Sequence, residues 1–312
     1  MADILVVGSL NVDLTVSVPR FLKPGETLTG SKFAVFTGGK GGNQAVAAAR
    51  LGADVTMVGC VGDDANGEMY KSALKREGVR LDAIATIQEE TTGVAVITVD
   101  ASGENTIAIV PGANARLSVD VISGAEALFQ GAKACLFQLE TPLVSIQHAA
   151  ALARAAGVTV ILDPAPAPSK PLPQPLIMLC DYITPNETEL GLLTGMEVAT
   201  VEQAAEAAMK LIAQGAKAVI NKRGSAGALL VTREGYRLYE GYQVTAVDTT
   251  AAGDTFNAGL AVGLAMELAV PDAIRLANAA AALSVTGMGA QAAMPSFERA
   301  SALVDGLEYP CD

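Results

Sequence analysis

Histidine is almost missing from this chain of 312 residues: it occurs once, at position 148. That excludes a multi-histidine metal centre, and a Ser-His-Asp triad too unless His148 itself takes part. His148 lies in the alanine-rich helical pattern after Pro142, with no acid or cysteine beside it, and reads as a helix-face residue. Cysteine is sparse and scattered. Cys60, Cys135, Cys180 and Cys311 form no C-x-x-C pair, which argues against structural zinc and suits a reducing compartment. Positive charge is in deficit, with 21 Lys and Arg against 33 Asp and Glu and a net charge of −12. Such a chain is poorly matched to nucleic acid or an anionic membrane surface. Any anionic ligand must be held by local N–H groups or a few cations. No uncharged apolar run is long enough to span a bilayer, and no basic segment precedes the short apolar run at the N-terminus, so neither a membrane anchor nor a signal peptide is expected. Charged residues make up only 17% of the chain, which argues against long disordered tails. Together these absences point to a cytoplasmic protein.

What is present is an apolar majority, 51% of residues, in a chain long enough for one large α/β domain or two. Residues 3–8 read as a buried strand, and Leu14 to Val18 alternate as a strand with one wet face does. Lys32 to Phe36 and 54–61 read as further strands, and 64–77 as an amphipathic helix. Residues 92–99 and 104–110 are β-rich runs joined by a hairpin signal at Asp100–Gly103. From residue 133 strand and helix alternate. Strands are predicted at 134–139, 158–163, 181–184, 217–221 and 228–232. Helices are predicted at 143–156, 187–194, 201–214, 254–268, 271–285 and 297–306. This alternation implies a mostly parallel sheet with helices on both faces. The β-rich pieces outside it form a small separate sheet, a lid made by two excursions of the chain. The body is then 1–10, 38–90 and 111–312, and the lid 11–37 and 91–110.

Polar residues in apolar surroundings fall just after strand ends: Asn11 and Asp13, Glu140, Asp163, Asn186 and Glu189. In a parallel sheet these ends share one rim, where ligands bind in open α/β folds. Gly38-Gly39-Lys40-Gly41-Gly42-Asn43-Gln44 leads into a helix over Ala45–Leu51. It meets neither the P-loop pattern nor the dinucleotide fingerprint. It is either a close-approach loop for a small ligand or a flexible turn with Asn43 as helix cap. Asn186 and Glu189 are spaced as a capping box. From Asp248 to Gly259 a run of small residues, Ala251-Ala252-Gly253, ends in Asp254 where a long helix begins. The N–H groups of a helix start suit a phosphate, and an ionised aspartate there can take a proton from a hydroxyl. On residue types alone this is an anion cradle with a base beside it, or Asp254 is simply the cap.

Asn11-Val12-Asp13, the stretch from Gly38 to Gln44, Gly112-Ala113-Asn114, Glu140, Asn186 to Glu189, Gly224-Ser225 and the Asp248 stretch, taken in order, resemble the ribokinase-like carbohydrate kinases along essentially the whole chain. The resemblance implies a three-layer α/β/α fold with a mostly parallel sheet and a discontinuous β-sheet lid. It implies ATP-dependent phosphorylation of the terminal O5 hydroxyl of a pentose, D-ribose, to ribose 5-phosphate. A kinase for 2-deoxyribose, another sugar or a nucleoside is the alternative within the family. A non-catalytic sugar sensor is a different class, against which intact Asp254, Gly253 and Lys40 argue. A nicotinamide oxidoreductase is disfavoured by the absent fingerprint.

Carried over by the resemblance, Asn11, Asp13, Gly39, Lys40, Asn43 and Glu140 hold the sugar and Asp254 is the base, with the N–H groups of Ala252 and Gly253 on the transferring phosphoryl group. ATP runs along Asn186, Lys222, Gly224, Ser225, Gly227, Gly253 and Asn278. Glu189 acts on Mg²⁺ through water. A K⁺ site is implied at Asp248, Thr250, Ser284, Gly287 and Gly289, with Ala293 standing where relatives often have a serine. Lys222-Arg223 replaces a Thr-Leu-like pair of the family, and Asn278 stands where a histidine can stack on adenine. A homodimer joined through the lid sheets is expected.

Overall fold

The computed structural model describes residues 3–306, so Cys311 lies outside the described residues. Among the described residues thirteen strands fall into two sheets. They are β1 (Asp3–Val7), β2 (Asn11–Ser17), β3 (Lys32–Gly38), β4 (Asp54–Gly62), β5 (Arg80–Ile87), β6 (Gly93–Val99), β7 (Asn105–Val110), β8 (Ala134–Phe137), β9 (Thr159–Leu162), β10 (Tyr182–Ile183), β11 (Ala218–Lys222), β12 (Ala228–Thr232) and β13 (Gly235–Tyr239). The large sheet has the order β13-β12-β11-β10-β9-β8-β1-β4-β5. From β11 to β5 every neighbouring pair is parallel, and β12 and β13 add antiparallel. The small sheet, β3-β2-β6-β7, pairs β2 with β6 in parallel and β2–β3 and β6–β7 antiparallel.

Alternation along β1 explains the three layers. Ile4 and Val6 enter one core with the helices Lys40–Arg50, Ala252–Ala265 and Val270–Ser284. Leu5 and Val7 enter a second core with Ile146, Ala150, Leu190 and Leu211 on the other face. Successive side chains of a strand point to opposite faces, so a strand buried on both must be apolar where it is buried, as β1 is from Ile4 to Val7.

The strand–helix alternation predicted after residue 133 is present, with each predicted element within a few residues of its place. Two edge strands, β5 and β13, were not anticipated. β5 mixes exposed and half-buried residues with none fully buried, and β13 is exposed except at Tyr239. Neither carries the long apolar run that marks an inner strand. The single wet face expected for Leu14 to Val18 is corrected: Leu14, Thr15, Val16 and Ser17 are all half-buried. The small sheet meets solvent on both sides, and β7 is exposed along its whole length.

The glycine-rich stretch is the clearest departure. The helix begins at Lys40, not Ala45, so Gly41, Gly42, Asn43 and Gln44 lie inside it. Its N-cap is Gly39, at a φ of 79°, and Asn43 is not a cap. A Cβ on Gly41 would stand 2.6 Å from the backbone nitrogen of Ser9. Glycine is a poor helix former, but here its bare backbone lets the first turn rest on the end of β1, where Gly42 N–H donates to the Ser9 carbonyl at 2.9 Å.

Candidate active site

The helix Ala252–Ala265 starts from Ala251, whose φ of 61° turns the chain sharply, and no side chain caps it. The capping alternative for Asp254 therefore fails. Asp254 sits in the first turn, buried at 5% exposure, and its carboxylate is held from the facing helix. Asn43 Nδ2 donates to Oδ2 at 3.0 Å and Gln44 Nε2 donates to Oδ1 at 3.1 Å. These donors face Asp254 because the helix starts early at Lys40 and lies against the helix of Asp254.

Gln44 Nε2 also donates to Asp163 Oδ2 at 3.0 Å, and its own Oε1 accepts from Gln138 Nε2 at 2.7 Å. Asp163 Oδ1 accepts from Lys222 Nζ at 2.8 Å, in an ion pair almost wholly out of water. The Lys222 ammonium stands 3.4 Å from where a Cβ on Gly253 would be. A buried cation therefore flanks the helix start that residue types alone marked as an anion cradle.

Burial pushes the Asp254 carboxyl up to about 6; the Lys40 charge opposes this, Asp163 adds to it, and the two amides oppose it. For Lys40, burial alone would disfavour the ammonium, but Asp254, Asp163, Glu140 and Glu189 outweigh it and hold the amine above its ordinary range.

The remaining sugar candidates line the junction of the two sheets. Glu140 Oε2 accepts from Ser9 Oγ at 2.5 Å and from Lys40 N–H at 3.0 Å. Asn11 Oδ1 accepts from Asn114 Nδ2 at 2.7 Å, and Asn114 Oδ1 accepts from Leu10 N–H at 2.8 Å. Asp13 stands where a Cβ on Gly38 would collide with it, 2.1 Å from its Oδ2. Burial, then the nearby Glu140, lifts the Asp13 carboxyl to about 7. The structure thus brings Asn11, Asp13, Gly39, Lys40, Asn43, Glu140 and Asp254 together where one end of the large sheet meets β2 and β3 of the small one.

On the other side of Gly253 lies a cavity of about 260 Å³. Lys222, Gly224, Ser225, Gly227, Gly253 and Asn278 line it together with Ala252, Phe256, Ala281 and Val285. Asn278 Nδ2 donates to the carbonyls of Tyr239 and Glu240 at 3.1 and 3.2 Å, which leaves its oxygen for a ligand. Asn186 does not line this cavity. Its side chain closes the expected capping box, accepting from Glu189 N–H at 2.8 Å, while Glu189 Oε2 accepts from Asn186 N–H at 2.8 Å. Asn186 lies beside Lys222 through an isolated parallel bridge.

The implied cation residues lie on two segments, which meet where Asp248 bonds Gly289. Asp248 Oδ1 accepts from Thr250 N–H at 2.9 Å and Thr250 Oγ1 at 2.6 Å, and Oδ2 accepts from Gly289 N–H at 2.9 Å. A Cβ on Gly287 would lie 3.1 Å from the Ala293 Cβ. Ser284 Oγ donates to the Ala281 carbonyl at 2.9 Å. His148 stays outside the site, with Nε2 3.0 Å from Ser123 Oγ. Among the described residues no group of three or more His, Cys, Asp or Glu could hold a metal ion.

Sequence reasoning assigned no role to Gln44, Gln138 or Gln291, and none to Asp163 beyond its place on the rim. Their signal was weak but present: Gln44 and Gln138 are amides in glycine-rich or apolar runs, where an uncharged polar side chain needs a partner.

Residues 1–296 match the pfkB family of carbohydrate kinases. The ribokinase of Haemophilus influenzae is 46% identical over 291 residues, 93% of this chain and 94% of that protein. A deoxyribokinase of Salmonella typhi is 38% identical over 297 residues, covering 95% of this chain and 97% of its own length. The structure of Arabidopsis thaliana ribokinase complexed with ribose and ATP superposes with a TM-score of 0.91 at 36% identity, covering 97% of this chain and 99% of that one.

Proposed function

This chain belongs to the pfkB family of carbohydrate kinases, and from that premise we propose that it transfers the terminal phosphoryl group of ATP to the O5 hydroxyl of D-ribose, giving D-ribose 5-phosphate and ADP. The observation that carries this reading is Asp254: a buried carboxylate at an uncapped helix start, with a hydroxyl-binding rim on one side and the cavity on the other.

Asn11, Asp13, Lys40, Asn43 and Glu140 hold the sugar hydroxyls, and Gly39 lets the backbone come close. Asp254 takes the O5 proton as O5 attacks the phosphorus of the terminal phosphoryl group, and ADP leaves with the bridging oxygen. The first N–H groups of the helix, at Ala252 and Gly253, face the charge that develops there. Lys222, beside Gly253, exchanges its Asp163 partner for that charge. ATP occupies the cavity lined by Gly224, Ser225, Gly227 and Asn278, with Asn186 at its rim. The small sheet, segments 11–37 and 91–110, closes over the sugar and excludes competing water.

Glu189, in the first turn of the helix that Asn186 caps, would hold a phosphate-borne Mg²⁺ through water. Bound there it neutralises phosphate charge. For K⁺, Asp248 and the carbonyls of Thr250, Ser284, Gly287 and Gly289 would be the ligands. Gly287 packs against Ala293, whose methyl offers no side-chain oxygen there. A second copy pairs with the small sheet, which exposes Phe33, Val35, Val96, Ile107 and Ile109. The three described cysteines are unpaired and buried, in keeping with a cytoplasmic setting.

ADP release measured over a panel of sugars tests the reading. Ribose should exceed 2-deoxyribose in kcat/KM, because a site built for a hydroxyl leaves buried polar groups unpaired when it is missing. Asp254→Asn should bind both substrates but lose at least about a hundredfold in turnover. Preference for 2-deoxyribose would reassign the substrate, and near wild-type turnover in Asp254→Asn would remove the base.

A further inference from the structure

Gln291 lies in the loop after the helix Val270–Ser284, far from the signature in sequence, yet its side chain reaches the neighbours of Asp254. Its Nε2 donates to Asn43 Oδ1 at 3.1 Å and lies 3.5 Å from Tyr70 Oη, while its Oε1 accepts from Thr37 Oγ1 at 2.6 Å. The backbone around it is clamped. Arg50 Nη1 donates to the carbonyls of Gln291, Ala292 and Met294 at 2.6, 3.2 and 3.3 Å, and Arg50 is itself paired to Glu77 through two bonds of 2.8 Å.

Two acceptor-only groups fix the polarity of this network. The Asp254 carboxylate can only accept, so Asn43 must turn its NH₂ toward it and its oxygen away. The Gly38 carbonyl can only accept, so the buried Tyr70 hydroxyl donates to it and offers a lone pair to the other side. Both outward-facing groups, Asn43 Oδ1 and Tyr70 Oη, then need a donor, and the Gln291 NH₂ supplies it. Its oxygen is left for Thr37, the next-to-last residue of lid strand β3.

We propose that Gln291 is a positioning residue for phosphoryl transfer: it fixes which end of the Asn43 amide faces Asp254 and ties that choice to the foot of the lid strand. This rests on Asp254 being the base. Without the Gln291 donor the Asn43 amide is free to turn over and set its oxygen against the carboxylate. That arrangement displaces the base and removes one of its two donors.

Gln291→Glu keeps the size and the acceptor for Thr37 but reverses the polarity toward Asn43. The loss of one such hydrogen bond predicts a kcat lowered about tenfold, with the KM for ATP within about twofold of wild type. Gln291→Met deletes the donor without reversing it and should lose less, about threefold. The decisive measurement is the same pair of changes in an Asn43→Ala background. If Gln291 acts through Asn43, each then changes kcat by less than about twofold. A merely structural role, or simple charge repulsion by the new glutamate, would carry its full cost into that background and overturn the proposal. So would wild-type kcat in the Met variant. Asp254→Asn in the same assay separates the two readings. If it keeps turnover, the base assignment fails. If it loses turnover while the Gln291 variants do not, only the role of Gln291 fails.

Discussion

Acid should switch this site off in two steps, because two of its carboxylates hold their protons well above the ordinary range. Burial, against the opposing Lys40 charge, lifts Asp254 from 3.8 to about 6, and burial with Glu140 lifts Asp13 from 3.8 to about 7. A base must be ionised to take a proton, and Asp13 must be ionised to accept from two hydroxyls. The product of the two ionised fractions puts kcat/KM for ribose at roughly half its plateau at pH 7, about one-twentieth at pH 6 and about one-thousandth at pH 5. Carboxylates of ordinary acidity would keep about nine-tenths of the plateau at pH 5. The assay is direct quantification of ADP in quenched samples, with ATP saturating and ionic strength held constant. Asp13→Asn should remove the outer step and leave a single limb centred near 6, of slope one. A wild-type value at pH 5 above about half of that at pH 7.5 would refute the reasoning, since two raised carboxylates cannot both be required and leave so flat a profile.

Stability should move with the same group. Folded Asp254 keeps its proton to about 6, whereas in the unfolded chain the carboxyl releases it near 3.8. The folded state therefore binds more protons within that window, and stability falls as pH rises through it, by roughly 3 kcal/mol at about 1.4 kcal/mol per pH unit. Between pH 4.5 and 7 the fall measured by urea unfolding should be about 2 kcal/mol smaller in Asp254→Asn than in wild type, the fall due to the raised Asp13 remaining in both; parallel profiles would mean that Asp254 does not titrate there. Light scattering at micromolar concentration should give a dimer, and Phe33→Asp on the exposed lid face should give a monomer; a wild-type monomer would remove the lid interface. Potassium should raise turnover relative to a larger inert cation at matched ionic strength, and Ala293→Ser should lower the concentration for half activation. Equal rates in the two salts would withdraw the cation site.

The α/β/α architecture was legible because it rests on local pattern: apolar strands such as β1, and helices whose starts carry caps, such as Asn186 with Glu189. The helix over Gly41 and Gly42 was not, because propensity argues against it and only the backbone approach to Ser9 overrides that. Edge strands β5 and β13 were missed for want of a buried face. In the site, Asp254 and the rim residues announced themselves as polar groups at element ends. Gln44, Gln138 and Gln291 did not, since a glutamine matters here for the direction its amide points, which depends on partners up to 248 positions away in the chain. The cap reading of Asp254 was equally open until the structure placed Ala251, not Asp254, at the start of the helix.

The small sheet is stitched from two separate passages of the chain, and its central pair is β2 beside β6, Asn11 opposite Gly93. During synthesis β2 and β3 emerge first and can close as a hairpin, but β6 joins them only after the helices Lys40–Arg50 and Ala65–Arg76 and the strands β4 and β5 have left the ribosome. Four chain crossings then tether the finished sheet, near residues 8–10, 39, 88–92 and 111. No single cut releases it, and no single graft replaces it. A change of sugar preference by exchanging the whole cover with a relative would need two coordinated insertions kept in register. Under the proposed sugar-binding role of Asp13 and Asn11, single substitutions there would face no such barrier.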